Sequence, residues 1–583
     1  MRNSLLRTPK AIMLILGLTA LAFIIACGGT AATAVPQATA TAAPTAVPAP
    51  TAVPASGTVP TAVPAPAAAP RAVGIQGGVP PIMAYAQPAH WYIWECPTLS
   101  CAAATGPLYN QLVESNPDTL ENRTDIRGDL ANTWDMSTNG LTYTFHLDEN
   151  AAWWDGQPVT ADDVMFSLDQ MVSEDEPRPR SGLIRTYYDS SRVVNAKTVE
   201  VTTKFPSGAF LAFLSTDYNK ILPKHHFETG VNLKLSDNAL GSGPYKLVNE
   251  DRDVGYEFVK NDDYFKEGRP YWDGMKAYII KDKGAVIAAF KARQVLLPNA
   301  ATNMKVADVV QLGIDKADQG KVYWAPGSLY GMHINTNVAP FDNAKVRLAL
   351  QLAIHRQPII KLISSGKALL GGPFPPNFWF AATEDELAKS PGFRELNGEK
   401  HPEDIARARE LLAEAGFPDG FETAVTARSV GDYVAVAEIL VAQLDSFLNI
   451  KAHVRVMEST AGKAAFRSGD YELGMGAGGA IIPDPDAVIG GLYAKSSSAN
   501  ASNWENPRLT EISELQTREL DQDKRRDLLL EAADILMLED TQWVGIFWKV
   551  EGKYVDNSIQ NYNAPGSAAS ELKFEHTWCD PAC

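Results

Sequence analysis

Long runs of basic residues are missing from this sequence, the three at Lys524-Arg525-Arg526 being flanked by Asp523 and Asp527. The chain carries 69 acidic against 52 basic side chains, a formal charge of −17. A phosphate backbone selects basic faces, so the balance argues against a nucleic-acid partner. The acidity is a solubility feature rather than a pointer to a ligand. Enzyme signatures are missing as well. No G-x-S-x-G elbow, H-E-x-x-H helix or Walker loop occurs. The histidines are scattered, and His225-His226 is the only adjacent pair. That pair reads as structural, and neither a metal nor a cofactor is expected.

Long apolar runs are also scarce. The run at 11–25 follows Arg2, Arg7 and Lys10 and ends at Ile25-Ala26-Cys27. It is short for a spanning helix. A basic start, a short apolar core and a small residue before cysteine make a bacterial lipoprotein signal peptide, 1–27, with Cys27 as the lipid anchor. An uncleaved anchor is the alternative, and it too leaves the chain tethered outside the cytoplasm. Residues 28–75 are almost only Ala, Thr, Pro and Val, with Thr-Ala-Val-Pro recurring at Thr33, Thr45, Thr51 and Thr61. Such a segment buries no core, and its prolines favour an extended polyproline stalk. From Val73 onward roughly 510 residues with evenly spread aromatics remain, enough for two or three domains.

Cysteine is rare. Beyond Cys27 there are only Cys96, Cys101, Cys579 and Cys583, an even number in an exported chain. Disulfides are expected. Two local bridges, 96–101 and 579–583, fit the spacing, and crossed pairing stays open. A four-thiolate zinc site is disfavoured, since the spacings are not C-x-x-C and the compartment is oxidising.

The sharpest local signals lie in 139–172. Leu141, Tyr143, Phe145 and Leu147 alternate with Thr142, Thr144 and His146, the period of a half-buried strand. Asn139-Gly140 before it reads as a tight turn, with Trp134-Asp135-Met136 as the partner strand. Thr160 reads as a helix N-cap, followed by Asp162 and Asp163 in the first turn. Val164, Met165, Leu168, Met171 and Val172 then give one apolar face. Further on, 193–203 alternates as a strand, 275–280 and 330–337 read as strands, and 285–292 as a helix. Pro340-Phe341-Asp342 reads as the cap of a helix bearing Val346, Leu350, Ala353 and Ile354 on one face. The segment 402–415 is a helix between Pro402 and Gly416. A helix over 435–448 and strands over 452–456 and 543–550 complete an α/β alternation.

The segments GLTYTFHL and WWDGQPVTADDVMFSLDQM resemble the signature region of the family 5 extracellular solute-binding proteins, the oligopeptide- and dipeptide-binding receptors of ABC importers. Other motifs follow collinearly: Leu108-Tyr109 to Val113, Asp129 to Trp134, Ile221 to His225, Gly241 to Leu247, Arg467 to Leu473 and Pro483 to Asp486. At Arg293-Gln294-Val295-Leu296 the chain departs from the family's usual G-(E/Q)-V-D. The resemblance implies an α/β, two-lobed periplasmic-binding-protein-like fold of the large family 5 type (class II), with an extra N-terminal subdomain and a preceding disordered linker. It places lobe I at 76–113, 229–329 and 545–583, an inserted subdomain at 114–228, and lobe II at 330–544.

It also implies a solute held between lobes. One candidate wall is Trp94 and Glu95, near Trp91, although burial in the core is the default for isolated aromatics. The other is the loop 476–484, including Gly478, Gly479, Ile481 and Asp484. Peptide-binding members often read W-x-A-D-Y-x-D-P here. Their Asp pairs with the ligand's ammonium and their Trp packs on the ligand. Gly478 and Ile481 stand at those two positions, so a buried ammonium loses its partner, at about a few kcal/mol. Loss of the Trp implies a larger pocket. A bigger, less charged solute such as an oligosaccharide or a blocked peptide then fits, or Asp484 or Glu95 substitutes for the missing acid. Asp484 and Asp486 also form a conceivable glycosidase pair, but a turn shaping the cleft wall is the simpler reading.

The expectation is therefore a non-enzymatic receptor, lipid-anchored on the outer face of the cytoplasmic membrane or in the periplasm. It acts as a monomer and hands an oligopeptide-like solute to an ABC permease and its ATPase subunits. An oligosaccharide or other large non-peptide solute is the alternative; a surface hydrolase or an adhesive module ranks lower.

Overall fold

A computed structural model describes residues 74–583 except 97, 118–124, 177, 303, 480–481, 483, 498, 564–568 and 582. The leader, Cys27 and the stalk lie outside the described residues, as does Ile481.

The 139–172 unit forms as its local chemistry dictates. Strand Thr142–Leu147 buries Tyr143, Phe145 and Leu147 and leaves its threonines half-buried. It pairs antiparallel with Ala131–Met136, setting Trp134 opposite Phe145. Between them Gly140 takes φ +71°, a conformation that costs a side chain with Cβ. Helix Ala161–Val172 opens on a full capping box. Thr160 Oγ1 accepts the Asp163 N–H at 3.4 Å, and Asp163 Oδ2 accepts the Thr160 N–H at 2.9 Å. Asp163 also accepts the Lys224 N–H at 2.9 Å, which fastens the 221–225 motif to the helix.

Several expected boundaries shift. The alternation at 193–203 is a hairpin, Tyr188–Asn195 with Thr198–Thr203, turned where Asn195 Oδ1 accepts the Lys197 N–H at 2.9 Å. The helix after Pro340 is Ala344–Ala353, and its cap is Asn343 rather than Asp342. Buried Ile354 has already left the helix as its extended C-cap. The strand expected at 330–337 is Gly320–Ile334, and the one at 543–550 continues to Asp556.

Three sheets organise the chain. Leu297–Pro298, Pro81–Ala84, Gly274–Ile279, Gly255–Lys260 and Tyr245–Asp251 form a mixed five-stranded sheet in that order. The two hairpins, 131–147 and 188–203, make a four-stranded antiparallel sheet. The third sheet has the order Leu369–Leu370, Trp543–Asp556, Gly320–Ile334, Leu473–Gly478, Glu422–Arg428 and Lys451–Met457. Within it, helix Tyr433–Leu448 connects the parallel strands Glu422–Arg428 and Lys451–Met457.

Two main hydrophobic cores result. One gathers Trp91, Phe145, Phe210 and Tyr256 with the tail residues Ile559 and Phe574. The other gathers Leu329, Phe341, Leu440 and Trp548. The paired strands 320–334 and 543–556 run from one side to the other. Val322 and Tyr554 belong to a small cluster with Met83 and Phe290, whereas Leu329 and Trp548 belong to the second core. At the crossing the register breaks. Pro326 pairs with Val550 and Leu329 with Trp548, so Gly327 and Ser328 stand opposite Lys549 alone. Proline removes a ladder donor, and the extra residue bends the ribbon.

All four folded-part cysteines pair locally, Cys96 with Cys101 and Cys579 with Cys583. The pairing is local rather than crossed. The second bridge packs beside Gly78, at the start of the folded part.

Candidate functional site

Strand Leu473–Gly478 is built from small residues, LGMGAG. Rings and branched side chains lie flat against it. A Cβ at Gly476 would stand 2.3 Å from His333 Nε2, and one at Gly478 would stand 2.4 Å from Leu492. The atom met at Gly478 is the far end of the Leu492 side chain, which packs over this position.

The room lies to the side of this strand. A cleft of about 650 Å³ opens between the strand, helix Ser459–Ser468 and the segment 497–503. Gly478 and Gly479 line it together with His333, Arg428, Lys463 and Arg467. Arg428 closes the Glu422–Arg428 strand. Its guanidinium lies 5.0 Å over the Tyr433 ring and donates to Ser459 Oγ at 3.2 Å. Its buried Nε has no hydrogen-bond partner among the described residues. Lys463 and Arg467 sit one turn apart on the exposed side of their helix. His333 is buried against Trp543, ring centroids 4.0 Å apart. Burial, and secondarily Arg428, push its pKa down to about 4, so the ring is neutral at pH 7.

Further along the chain, Ile482 is buried in the first core. Asp484 follows, 4% exposed and fully engaged. It accepts from Arg525 Nη1 at 3.0 Å and Nη2 at 2.7 Å, and its Oδ1 accepts the Asp486 N–H at 2.9 Å, capping Pro485–Val488. Asp486 accepts the Tyr187 O–H at 2.8 Å and the Thr517 O–H at 2.6 Å. Burial first, and Asp484 second, raise the Asp486 carboxyl above the usual range. Tyr187 belongs to the first core, so this pair ties the two halves together. It does not present two free carboxylates to a sugar.

Trp94 and Glu95 do not line the 650 Å³ cleft. Trp94 is buried against Phe166 and Phe227 and donates to the Lys220 carbonyl at 3.0 Å. Glu95 pairs with Arg178 at 2.9 Å and Lys234 at 2.6 Å. Burial raises its pKa, but Lys234 and Arg178 outweigh that and hold it below the usual range. Of the expected residues, then, Gly478 and Gly479 share the cleft, Asp484 is spent on Arg525, and Trp94 and Glu95 belong to another region. Arg428, Lys463, Arg467 and His333 were not singled out by sequence. Each is a lone polar residue in a helix or strand pattern, and only the fold assembles them.

Other polar clusters are structural. His225 pairs with Asp155 at 2.8 Å, and His226 contacts the Asn238 carbonyl at 2.8 Å. Glu114, Glu575 and His576 bring donor atoms within 4.8 Å of one another. Cations already occupy that position: Lys266 reaches Asp129 at 2.6 Å and Glu575 at 2.9 Å, and Lys573 reaches Glu114 at 2.5 Å. Among the described residues no helix is long and apolar enough to cross a membrane.

Two cores joined by a paired, bulged ribbon, with a cleft beside the joining loop, define a two-lobed solute-binding protein. Residues 125–500 match the model of the bacterial extracellular solute-binding proteins, family 5 (middle region), and the chain belongs to that family. It is 27% identical over 493 residues to heme-binding protein A of Haemophilus influenzae, covering 79% of this chain and 85% of that protein. It is 26% identical over 432 residues to the dipeptide-binding protein of Escherichia coli, covering 69% and 76%. Among solved structures, HbpA2 from Haemophilus parasuis superposes with a TM-score of 0.71 at 22% identity, covering 86% of this chain and 99% of that one. The periplasmic binding protein DppA from Helicobacter pylori, in complex with the peptide STSA, gives 0.65 at 24%, covering 87% and 98%.

Proposed function

We propose that this chain is the membrane-anchored substrate-binding protein of an ABC importer, capturing a peptide-like solute between its lobes and delivering it to the permease. The observation that carries this reading is the joining ribbon. Two large cores share few continuous strands, and the 320–334 and 543–556 pair is bulged where it passes between them. Such a ribbon bends more readily than the cores repack, which suits hinge closure on a solute. Ligand shifts that equilibrium only as far as it touches both lobes.

In this proposal lobe I comprises 76–113, 229–329 and 545–583, the inserted subdomain 114–228, and lobe II 330–544, with Leu329 and Ile546 to Trp548 at the ribbon's crossing packed into the second core. Lipidated Cys27 and the 28–75 stalk hold the receptor on the outer side of the cytoplasmic membrane as a monomer. The permease and its ATPases are its partners. The names of the dipeptide- and di/tripeptide-binding relatives support the peptide class.

A second reading is a large non-peptide solute. It is favoured by Asp484, whose carboxylate is committed to Arg525 and does not await an ammonium group. The name of the heme-binding relative shows that such solutes occur among similar proteins.

Native mass spectrometry of protein purified from its host, combined with small-angle scattering before and after ligand removal, tests the reading. A co-purified solute and a measurable expansion on its removal are expected. Chemical turnover of the bound solute, or identical scattering in both states, would refute it.

A further inference from the structure

The 650 Å³ cleft sets three cations, Arg428, Lys463 and Arg467, around one space, and among the described residues no aspartate or glutamate lines it. The composition makes that arrangement unusual, because acids outnumber bases 69 to 52 across the chain. Elsewhere the basic side chains find carboxylates readily: Arg455 pairs with Asp470 at 3.1 Å, and Arg508 with Glu531 at 2.6 Å. Among the described residues none of the three cleft cations has an ion pair. Arg467 Nε reaches only the Lys463 carbonyl, at 3.3 Å, and Arg428 Nε is buried with no partner.

A buried guanidinium donor left open costs free energy unless an acceptor arrives. The acids of the neighbouring loop do not supply one, since Asp484 is held by Arg525 and Asp486 by Tyr187 and Thr517. His333 stays neutral and offers a hydrogen bond rather than a fourth charge. A planar guanidinium sharing a cleft with two exposed cations matches carboxylate or phosphate oxygens, with the arginine fixing geometry and the helix cations adding field. A free ammonium placed there would meet three like charges and no counter-ion.

We infer that the part of the solute seated in this cleft carries at least two negative charges, as carboxylates or phosphates, and no free ammonium. This rests on the receptor reading and narrows its substrate class. Arg428 holds one anionic group at the floor, while Lys463 and Arg467 on helix Ser459–Ser468 hold the second at the rim.

The test is calorimetric titration of ligand-stripped, full-length protein with four probes: N-acetyl-Asp-Glu, citrate, inorganic phosphate and Ala-Ala. N-acetyl-Asp-Glu or citrate is expected to bind at least about tenfold more tightly than Ala-Ala, and to weaken as salt rises. Preference for phosphate over both carboxylate probes would assign the phosphate form. Arg428→Met should weaken the preferred anion by roughly 30-fold, with a near-parental melting temperature showing that the fold survives. Lys463→Ala with Arg467→Ala, two exposed positions, should weaken it by about tenfold without touching the core.

Equal or tighter binding of Ala-Ala, no binding of any anionic probe, or full affinity in the Lys463/Arg467 double variant would overturn the inference. Lobe closure on an uncharged or zwitterionic solute would overturn it while leaving the receptor reading intact. Hydrolysis of a probe would instead defeat the receptor reading.

Discussion

Replacing Arg525 with methionine leaves Asp484 and Asp486 side by side, buried, with no cation. Asp484 is 4% exposed and Arg525 3%, and two charge-assisted hydrogen bonds of 3.0 and 2.7 Å join them. Arg525 Nε also serves the Gln516 carbonyl at 3.0 Å. Breaking a buried pair from one side costs about 3–5 kcal/mol, because the stranded charge keeps its desolvation penalty. For a cooperative unit of lobe size this lowers the melting temperature by roughly 10 °C. Adding Asp484→Asn to Arg525→Met should restore more than half of the loss, since no stranded charge remains at 484. Differential scanning calorimetry of the parent, both single variants and the double variant measures the coupling. Ligand titration of the folded variants measures function separately. The reasoning fails if Asp484→Asn melts like the parent yet abolishes binding, because the carboxylate would then serve the solute rather than the fold.

Thr160→Ala should cost about 1 kcal/mol by opening the capping box of Ala161–Val172, read as a lower urea midpoint. His576 is buried, and its pKa is pushed down to about 4 by burial first and Arg127 second. Its contribution to stability is complete above the unfolded value near 6.5 and is lost as pH falls toward 4. His576→Gln should therefore flatten the stability profile by about 2 kcal/mol between pH 6.5 and 5, and an unchanged slope would show that another group titrates. Cys579→Ser with Cys583→Ser opens a bridge of sequence separation 4 and should cost about 2 kcal/mol, read as a lower urea midpoint under oxidising conditions. A reductant that further destabilises the double variant would point to Cys96–Cys101 as the second contributor.

Much of the fold was legible because its signals are local. The alternation of Tyr143, Phe145 and Leu147, the Thr160 cap, and the Pro402 to Gly416 boundary each depend on neighbours within a few residues. The segment 193–203 reads as one strand because alternation continues across the turn at Asn195, where a side-chain hydrogen bond marks the reversal within the hairpin 188–203. The length of Gly320–Ile334 was missed because Pro326 and Gly327 look like a terminus, and a bulge opposite Lys549 lets the strand continue. At the site, glycines 478 and 479 were found from the loop motif, but the side chain packing over position 478, Leu492, comes from a later turn. Trp94 and Glu95 looked like a wall because sequence shows an aromatic cluster and not the Phe166, Phe227, Arg178 and Lys234 that absorb it.

Sequence alone therefore determined the order of strands and helices and the family. Periodicity, caps and collinear motifs are written in residues close along the chain. Tertiary structure decided which charges are satisfied. Asp484 meets Arg525, while Arg428 shares a cleft with Lys463 and Arg467 and, among the described residues, no carboxylate, through parallel strands and helix packing that bring distant segments together. Whether a carboxylate is a ligand or a strut, and whether an arginine is paired or waiting, is set by those long-range contacts.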